Sequence, residues 1–288
     1  MPSDTVTSEP NSHSADHLRT HDFDWYAALQ FAPADKRPAC MALFAFLAEV
    51  ARVRSLVSDP MPGEIRLQYW RDTLSGTTHG DVEANPLAAN LLQAIDAHSI
   101  PTAPLLAVLD ARTFDLYDDA LPTMGDLEGY AGEAWSGPIS LAASILSGEN
   151  PANFADAAGH GGVALCIADI LVDLPRWSAK GQCFLPSDLM EKHGLQRADL
   201  AARKPTPELT KTLQTLAEVG ANHFEKAADH VGSMPASAHA VLLPFALARQ
   251  TFSQADTWAG NPFRQTLQAP KWRRLWLLWR ASKRMPAF

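Results

Sequence analysis

The sequence predicts a single all-α domain, and three observations support this fold class. Residues that start and stop helices recur along the whole chain of 288 residues. No segment shows sustained period-2 alternation with β-branched residues, which would indicate strands. Hydrophobic residues make up 47% of the chain, which is enough to bury a sizeable core.

The N-terminal half contains segments that begin at a proline or at a polar N-cap residue. We expect helices to begin at Pro38, at Pro60 and Pro62, at Pro86, at Thr102 and at Thr123. These helices are expected to end near Val57, Gly76, His98, Tyr117 and Leu146. Asp126 follows Thr123 by three residues, as in a capping box with Asp in place of the usual Glu or Gln.

The C-terminal half begins with a glycine-rich segment from about Asn153 to Leu174. Each of Gly159, Gly161 and Gly162 costs a helix roughly 1 kcal/mol relative to alanine. We therefore expect close helix packing there, or a backbone that approaches a ligand. Further helices are predicted at about 187–194, 207–231, 236–259 and 271–284, with loops at 176–183 and 260–270.

The first 20 residues are polar and lack the apolar stretch of a signal peptide. We expect a disordered tail over residues 1–20 and one helical domain over residues 21–288. Cys40, Cys166 and Cys183 show no metal or disulfide spacing, and their odd number suits a reducing compartment. These features predict a cytoplasmic protein.

The charge is unevenly distributed along the chain. Residues 271–288 carry +6, whereas the remainder sums to −14, for a net charge of −8. No acidic residue follows Asp256. A basic segment on an acidic body indicates an interaction surface, but the acidic body would repel phosphates and therefore disfavours nucleic acid as a partner.

The basic segment is also rich in tryptophan. Trp272, Trp276 and Trp279 share one face of the predicted helix, and the arginines Arg273, Arg274 and Arg280 lie beside that face. Such a helix can contact a partner or lie in a membrane interface, which would place the protein peripherally on the inner face of the cytoplasmic membrane. Alternatively, it is the closing helix of the domain, with its tryptophans in the core.

Four segments carry a resemblance to a known family. They are residues 43–55, 64–72, 129–133 and 165–173, the last of which is followed by residues 181–186. Their order and spacing resemble the squalene/phytoene synthase family over residues 22–285. The resemblance implies the all-α isoprenoid synthase fold, with helices around a central apolar cavity.

Members of this family join two prenyl diphosphates head to head. Diphosphate leaves an allylic carbon, and Mg²⁺ neutralises the leaving group through hard oxygen ligands. Two carboxylates four residues apart lie on one face of a helix and can share such an ion. Arginines hold the oxygens of the diphosphate.

This sequence departs from the family pattern at the residues that do the chemistry. The resemblance places Ala48 where the family has arginine, Ala51 and Ser55 where it has metal-binding aspartates, and Phe44 where it has tyrosine. In the fourth segment Val172, Arg176, Trp177 and Gln182 replace the polar residues of the family. The sequence therefore predicts no catalytic residues at the first motif, as in a pseudoenzyme.

One carboxylate pair survives. The resemblance retains Asp173 at a metal position, and Asp169 lies one turn before it. These two side chains either hold one Mg²⁺ or form ion pairs with nearby basic residues. We expect no cofactor unless the protein is active, in which case the cofactor is Mg²⁺.

Other candidate residues have two interpretations. Glu49 and Arg52 are three residues apart and can pair along a helix, or Arg52 can bind a diphosphate or a lipid headgroup. Tyr130 either lines the cavity or belongs to the core. Together with Phe44, these residues form the predicted ligand-binding set.

A narrower resemblance suggests a function. Residues 48–54, residues 58–64 and the Trp- and Arg-rich end are similar to the subfamily that contains the mitochondrial respiratory complex I assembly factor. This implies a non-catalytic assembly role with complex I subunits or intermediates as partners, and a prenyl diphosphate or lipid in the cavity. The alternatives are an active Mg²⁺-dependent prenyltransferase and a lipid carrier without a protein partner.

Overall fold

The computed structural model describes residues 12–77 and 84–286, and within these ranges the regular structure is helical. The helices of the N-terminal half are α1 (Ser12–His21), α2 (Phe23–Leu29), α3 (Arg37–Ala51), α4 (Val53–Leu56), α5 (Pro60–Leu74), α6 (Pro86–His98), α7 (Ala103–Phe114), α8 (Met124–Ala131) and α9 (Gly137–Ser147). A π-helical turn, Gly132–Ser136, joins α8 to α9. The all-α prediction is confirmed.

The C-terminal half continues the same architecture. Its helices are α10 (Ala155–Val172), α11 (Leu174–Ala179), α12 (Ser187–His193), α13 (Arg197–Ala201), α14 (Pro207–Val231), α15 (Phe245–Ala259) and α16 (Lys271–Ser282). The predicted helix over 236–259 is in fact a 3-10 turn at Ala236–Leu242 followed by α15.

The prediction of a disordered tail over residues 1–20 is wrong for residues 12–20, and residues 1–11 lie outside the described residues. Ser14 and Leu18 are both fully buried, one turn apart on α1. Asn90 donates a hydrogen bond to the Ser14 hydroxyl at 2.9 Å. Two buried residues are enough to attach a helix whose other faces are polar. The polar composition of this segment gave no indication that these two residues are buried.

The predicted loop at 176–183 is also partly wrong, because α11 extends to Ala179. Pro175 occupies the first turn of this helix, where its missing N–H costs nothing. Trp177 is buried and donates from its indole nitrogen to the carbonyl of Ile170 at 2.9 Å. This contact holds the short helix against the end of α10.

Helix α10 lies at the centre of the fold. It is packed against α14, α15 and the π-helical turn. Two hydrophobic clusters share it, because Leu165 and Ala168 face one cluster while Ile167 and Ile170 face the other. The segment Pro151–Val172 is apolar and long enough to cross a membrane, but 67% of its most apolar window is buried, as expected for a core helix.

The glycines of α10 explain this central position. A Cβ atom at Gly162 would lie 2.2 Å from the Ser136 hydroxyl oxygen, and one at Gly161 would lie 2.0 Å from the Phe245 ring. A Cβ atom at Gly159 would meet nothing within 4 Å. The predicted reason for the glycines, close packing, therefore holds for two of the three.

Candidate functional site

The two hydrophobic clusters leave a cavity of about 580 Å³ between them. Its walls come from α2, α3, the π-helical turn, α10 and α11, and residues 267–274 run along one side. The family resemblance places one degenerate motif on α3 and the adjoining α4, and the other at the end of α10. Residues of both motifs line the cavity, so the structure brings the two sets of positions to one site.

The cavity wall formed by α3 and α4 is largely apolar where the family has its first metal motif. Phe44, Ala48, Ala51 and Ser55 all line the cavity. The Phe44 ring stacks on Trp25 of α2, with ring centroids 3.8 Å apart. Because the methyl group of Ala51 and the hydroxyl of Ser55 replace carboxylates on this wall, it offers no strong ligand for Mg²⁺.

The predicted binding residues Glu49 and Arg52 lie outside the cavity lining. Arg52 Nη1 donates to Glu49 Oε2 at 3.2 Å, along the same turn of helix. His17 Nε2 of α1 lies 3.4 Å from the same carboxylate oxygen. This cluster connects α3 to α1. The contacts correspond to the interpretation in which Glu49 and Arg52 pair with each other along the helix.

The α10 wall carries the surviving carboxylates. Trp135 donates from its indole nitrogen to Asp169 Oδ2 at 3.2 Å, and Arg176 donates to the Asp173 carboxylate. Burial, followed by repulsion from Asp173 and Asp22, raises the pKa of Asp169 to about 8. Without a bound cation, Asp169 is thus mostly protonated at neutral pH.

This donor set does not by itself fit the Mg²⁺ that the family resemblance implies. Asp173 is engaged by the Arg176 guanidinium, and Asp169 accepts a hydrogen bond from the Trp135 indole. In residues 12–77 and 84–286, no group of three or more His, Cys, Asp and Glu side chains is arranged to hold a metal ion. A bound ion would need most of its oxygen ligands from another molecule.

Sequence reasoning missed two further carboxylates, Asp22 and Asp24, which line the cavity from α2. Burial and the neighbouring Asp24 raise the pKa of Asp22 to about 7, and Asp22 caps α2 by accepting from the Trp25 amide at 3.3 Å. Asp24 pairs with Arg274 of α16 at 2.5 Å. In the sequence, Asp22 could have been found as an N-cap residue. It lies beside residues 1–20, which were expected to be disordered.

The cavity floor holds a buried polar cluster of Arg112, Asp115 and Tyr130. The Tyr130 hydroxyl donates to Asp115 Oδ1 at 2.8 Å, and Arg112 Nη1 donates to Tyr130 Oη at 2.8 Å and to Asp115 Oδ2 at 3.2 Å. The guanidinium also lies 4.4 Å from the centre of the Trp135 ring. Burial raises the pKa of Tyr130 well above its usual value, so the phenol stays neutral.

Tyr130 thus satisfies both of its predicted roles. It lines the cavity, and it is 7% exposed within the second hydrophobic cluster. Sequence reasoning missed Arg112 and Asp115. Their three-residue spacing was the available signal, because it allows a pair along one face of a helix.

Each arginine that lines the cavity already has a carboxylate partner. The pairs are Arg54 with Asp118, Arg112 with Asp115, Arg176 with Asp173, and Arg274 with Asp24. A diphosphate would have to displace these carboxylates to obtain bidentate contacts. An anionic ligand would therefore compete with these carboxylates for the arginines of the cavity.

The structure contradicts one of the two interpretations of the C-terminal helix. Trp272, Trp276 and Trp279 are 71%, 46% and 51% exposed, so the alternative that puts these tryptophans in the core is wrong. Arg273 and Arg280 are also exposed. Arg274 instead points inward to Asp24, and its side chain is 11% exposed.

The family model for squalene/phytoene synthases matches residues 18–280. The chain belongs to the squalene/phytoene synthase family. Solved structures of this family share its fold: a dehydrosqualene synthase in complex with a ligand superposes with a TM-score of 0.79 at 18% identity, covering 95% of each chain. Squalene synthase HpnC from Alicyclobacillus acidocaldarius superposes with a TM-score of 0.74 at 19% identity, covering 88% of this chain and 95% of the other.

Two kinds of protein are among the relatives that resemble this chain in sequence. Complex I assembly factor 6 of Rattus norvegicus is 29% identical over 81% of this chain and 71% of its own length. The Homo sapiens protein is 28% identical over 83% and 73%. Presqualene diphosphate synthase of Rhodopseudomonas palustris is 26% identical over 78% of this chain and 79% of its own length.

Proposed function

We propose that this chain is a non-catalytic member of the family that supports the assembly of respiratory complex I, NADH:ubiquinone oxidoreductase, and that its cavity holds an isoprenoid or other lipid. The observation that carries the proposal is the cavity wall formed by α3 and α4. Ala51 and Ser55 stand where the family has carboxylates, and both face the cavity.

The chemistry of ionisation supports a non-catalytic role. Departure of diphosphate from an allylic carbon needs several positive charges at the leaving group. Here the arginines around the cavity are neutralised by carboxylates. Asp22 and Asp169 add further carboxyl groups to the cavity lining. The similarity to complex I assembly factors of Rattus norvegicus and Homo sapiens supports the specific role.

The test is deletion of the gene in the source organism, followed by native gel analysis and NADH oxidation by membranes. We expect assembled complex I to fall, and we expect both the wild-type gene and an Asp173→Ala variant to restore it, because no chemistry depends on this carboxylate. Normal complex I in the deletion strain would contradict the proposal. Rescue by the wild type but not by Asp173→Ala would indicate a catalytic role.

A second candidate is a prenyltransferase that condenses two prenyl diphosphates with Mg²⁺. It is favoured by Asp169 and Asp173, one turn apart at the cavity, and by the similarity to presqualene diphosphate synthase. Its test is incubation of the purified protein with farnesyl or geranylgeranyl diphosphate and Mg²⁺. Turnover that is lost in Asp173→Ala and kept in the exposed control Asp229→Ala would establish this activity and exclude the first proposal.

A further inference from the structure

Helix α16 exposes an aromatic face that no described part of the chain covers. Trp272, Leu275, Trp276 and Trp279 lie on one side of the helix, and each is at least 45% exposed. These spacings of three and four residues form one continuous stripe. Among the residues that the structure describes, none accepts a hydrogen bond from these three indole N–H groups.

The opposite side attaches α16 to the domain. Leu278 and Ala281 are buried against α2 and α15, in a small cluster with Ala27 and Leu243. Arg274 pairs with Asp24 on this inner side at 2.5 Å. The inner side therefore already supplies the helix with its packing, so the tryptophans on the outer side are not required to complete the core.

Basic residues surround the aromatic stripe. Arg273, Arg280 and Lys283 are exposed on or beside it, and the Arg280 guanidinium lies 5.1 Å from the centre of the Trp276 ring. No acidic residue follows Asp256 in the chain, whereas the rest of the molecule is strongly acidic. This distribution gives one end of the protein an attraction to anionic surfaces that its body lacks.

We propose that the outer face of α16 docks the protein on the surface of an anionic lipid bilayer, with the tryptophan rings at the level of the headgroups and the basic side chains on lipid phosphates. Tryptophan and arginine on one face of an amphipathic helix are the combination that suits this interface. The helix lies in the surface and does not cross it, because its 12 residues are too few to span the bilayer core.

Docking in this way would place the cavity beside the membrane. Lys271 and Arg274, in the first turn of α16, line the cavity, while Trp272 between them points outward. Residues 267–269, just before the helix, also line the cavity. A lipid ligand could thus pass between the bilayer and the cavity with a short exposure to water. The docking proposal rests on α16 alone and does not depend on the proposed function.

The test is flotation of the full chain with vesicles of phosphatidylglycerol and phosphatidylcholine, compared with vesicles of phosphatidylcholine alone. We expect binding to the anionic vesicles that weakens as salt is raised. The triple variant Trp272→Ala/Trp276→Ala/Trp279→Ala should lose at least about tenfold in partitioning. Arg273→Ala and Arg280→Ala should each reduce it roughly fivefold.

The matched control is Met61→Ala/Ile65→Ala on α5, which removes side chains that are 70% and 66% exposed at a different surface. This control should bind vesicles like the wild type, and circular dichroism should show that all variants are folded. Equal vesicle binding by the wild type and the triple tryptophan variant would overturn the proposal. So would a dimer without vesicle affinity that becomes a monomer in that variant, since the face would then join two copies of the chain.

Discussion

At the residue scale, the ionisable groups around the cavity are held in place by one another. Arg112 has a side chain that is 13% exposed, and its partner Asp115 is 7% exposed. Burying such a pair costs solvation that only direct hydrogen bonds can offset. The cluster is therefore sensitive to the loss of one member, whereas pairs at the surface are not.

We predict that Arg112→Ala lowers the free energy of unfolding by about 3–5 kcal/mol, because it leaves Asp115 as an unpaired buried carboxylate. The matched change is Arg71→Ala, whose partner Asp110 is 68% exposed, and this variant should lose less than about 1 kcal/mol. Urea denaturation followed by circular dichroism measures both. Similar losses in the two variants would show that the cluster is not the critical contact.

The histidine pair of His160 and His223 gives stability a dependence on pH. His160 Nδ1 lies 3.1 Å from His223 Nδ1, so one ring donates and the other accepts. Burial, followed by the repulsion from His223, lowers the pKa of His160 below 6.5. The unfolded chain therefore binds a proton at His160 at a higher pH than the folded chain does, so the contribution of His160 to stability falls as the pH drops below 6.5.

We expect His160→Gln to flatten this acid loss, since glutamine does not titrate. The control is His13→Gln at an exposed position of α1, which should leave the profile unchanged. Melting temperatures recorded between neutral and mildly acidic pH provide the comparison. A His160→Gln profile as steep as that of the wild type would assign the acid sensitivity to other groups.

At the element scale, α10 can occupy the centre of the fold because its glycines let neighbouring segments approach closely. Gly162 lies against the backbone of Ser136, where an added Cβ atom would be 2.6 Å from the amide nitrogen. The Ser136 hydroxyl donates to the carbonyl of Gly159 at 3.0 Å, which connects the π-helical turn to α10. Glycine at position 162 thus lowers the helix propensity of α10 but lets its backbone contact the backbone of Ser136.

We predict that Gly162→Ala destabilises the protein by about 1–3 kcal/mol, because the backbone of Ser136 would have to move. Gly159→Ala is the matched control in the same helix, with open space at its Cβ position. It should be neutral or stabilise the fold by up to about 1 kcal/mol. Thermal unfolding of the two variants tests this difference in sign, and a stabilised Gly162→Ala variant would contradict it.

At the scale of the whole molecule, the two hydrophobic clusters are not independent. Helices α10 and α14 contribute residues to both, and the partly buried Trp135 and Phe252 pack against both. The cavity lies between the clusters and is lined from each side. The site therefore exists only while both halves are folded.

We expect the chain to unfold in one cooperative transition. Far-UV circular dichroism and tryptophan fluorescence should give the same midpoint in urea, because neither cluster retains its packing without α10. The tryptophans are distributed over both halves, at positions such as Trp25, Trp70, Trp177 and Trp258, so fluorescence reports on each cluster. Separated midpoints would show that one cluster folds without the other.

Much of this architecture follows from local patterns in the sequence. Pro86 after the N-cap Asn85 and the capping box at Thr123 specify their helices through contacts within one turn, and both are present in the structure. The family resemblance rests on motif order and spacing, so it could be found without any coordinates. The degeneracy of the first motif at Ala51 and Ser55 was equally visible.

Other features depend on residues that are distant in the chain. Arg274 pairs with Asp24 across 250 positions, and Ser14 contacts Asn90 across 76. No local pattern encodes such contacts, which is why a docked α1 looked like a disordered tail. The raised pKa of Asp169 likewise depends on burial and on Asp22 from α2.

The residues alone thus specified the helical fold, the family and the loss of the first metal motif, because these depend on residue type and spacing. The folded molecule was needed to assign partners to the remaining charges and to show which face of α16 meets the core. Burial and ion pairing are properties of side chains brought together from distant segments, and they determine whether a carboxylate is ionised or a tryptophan is free to meet a membrane.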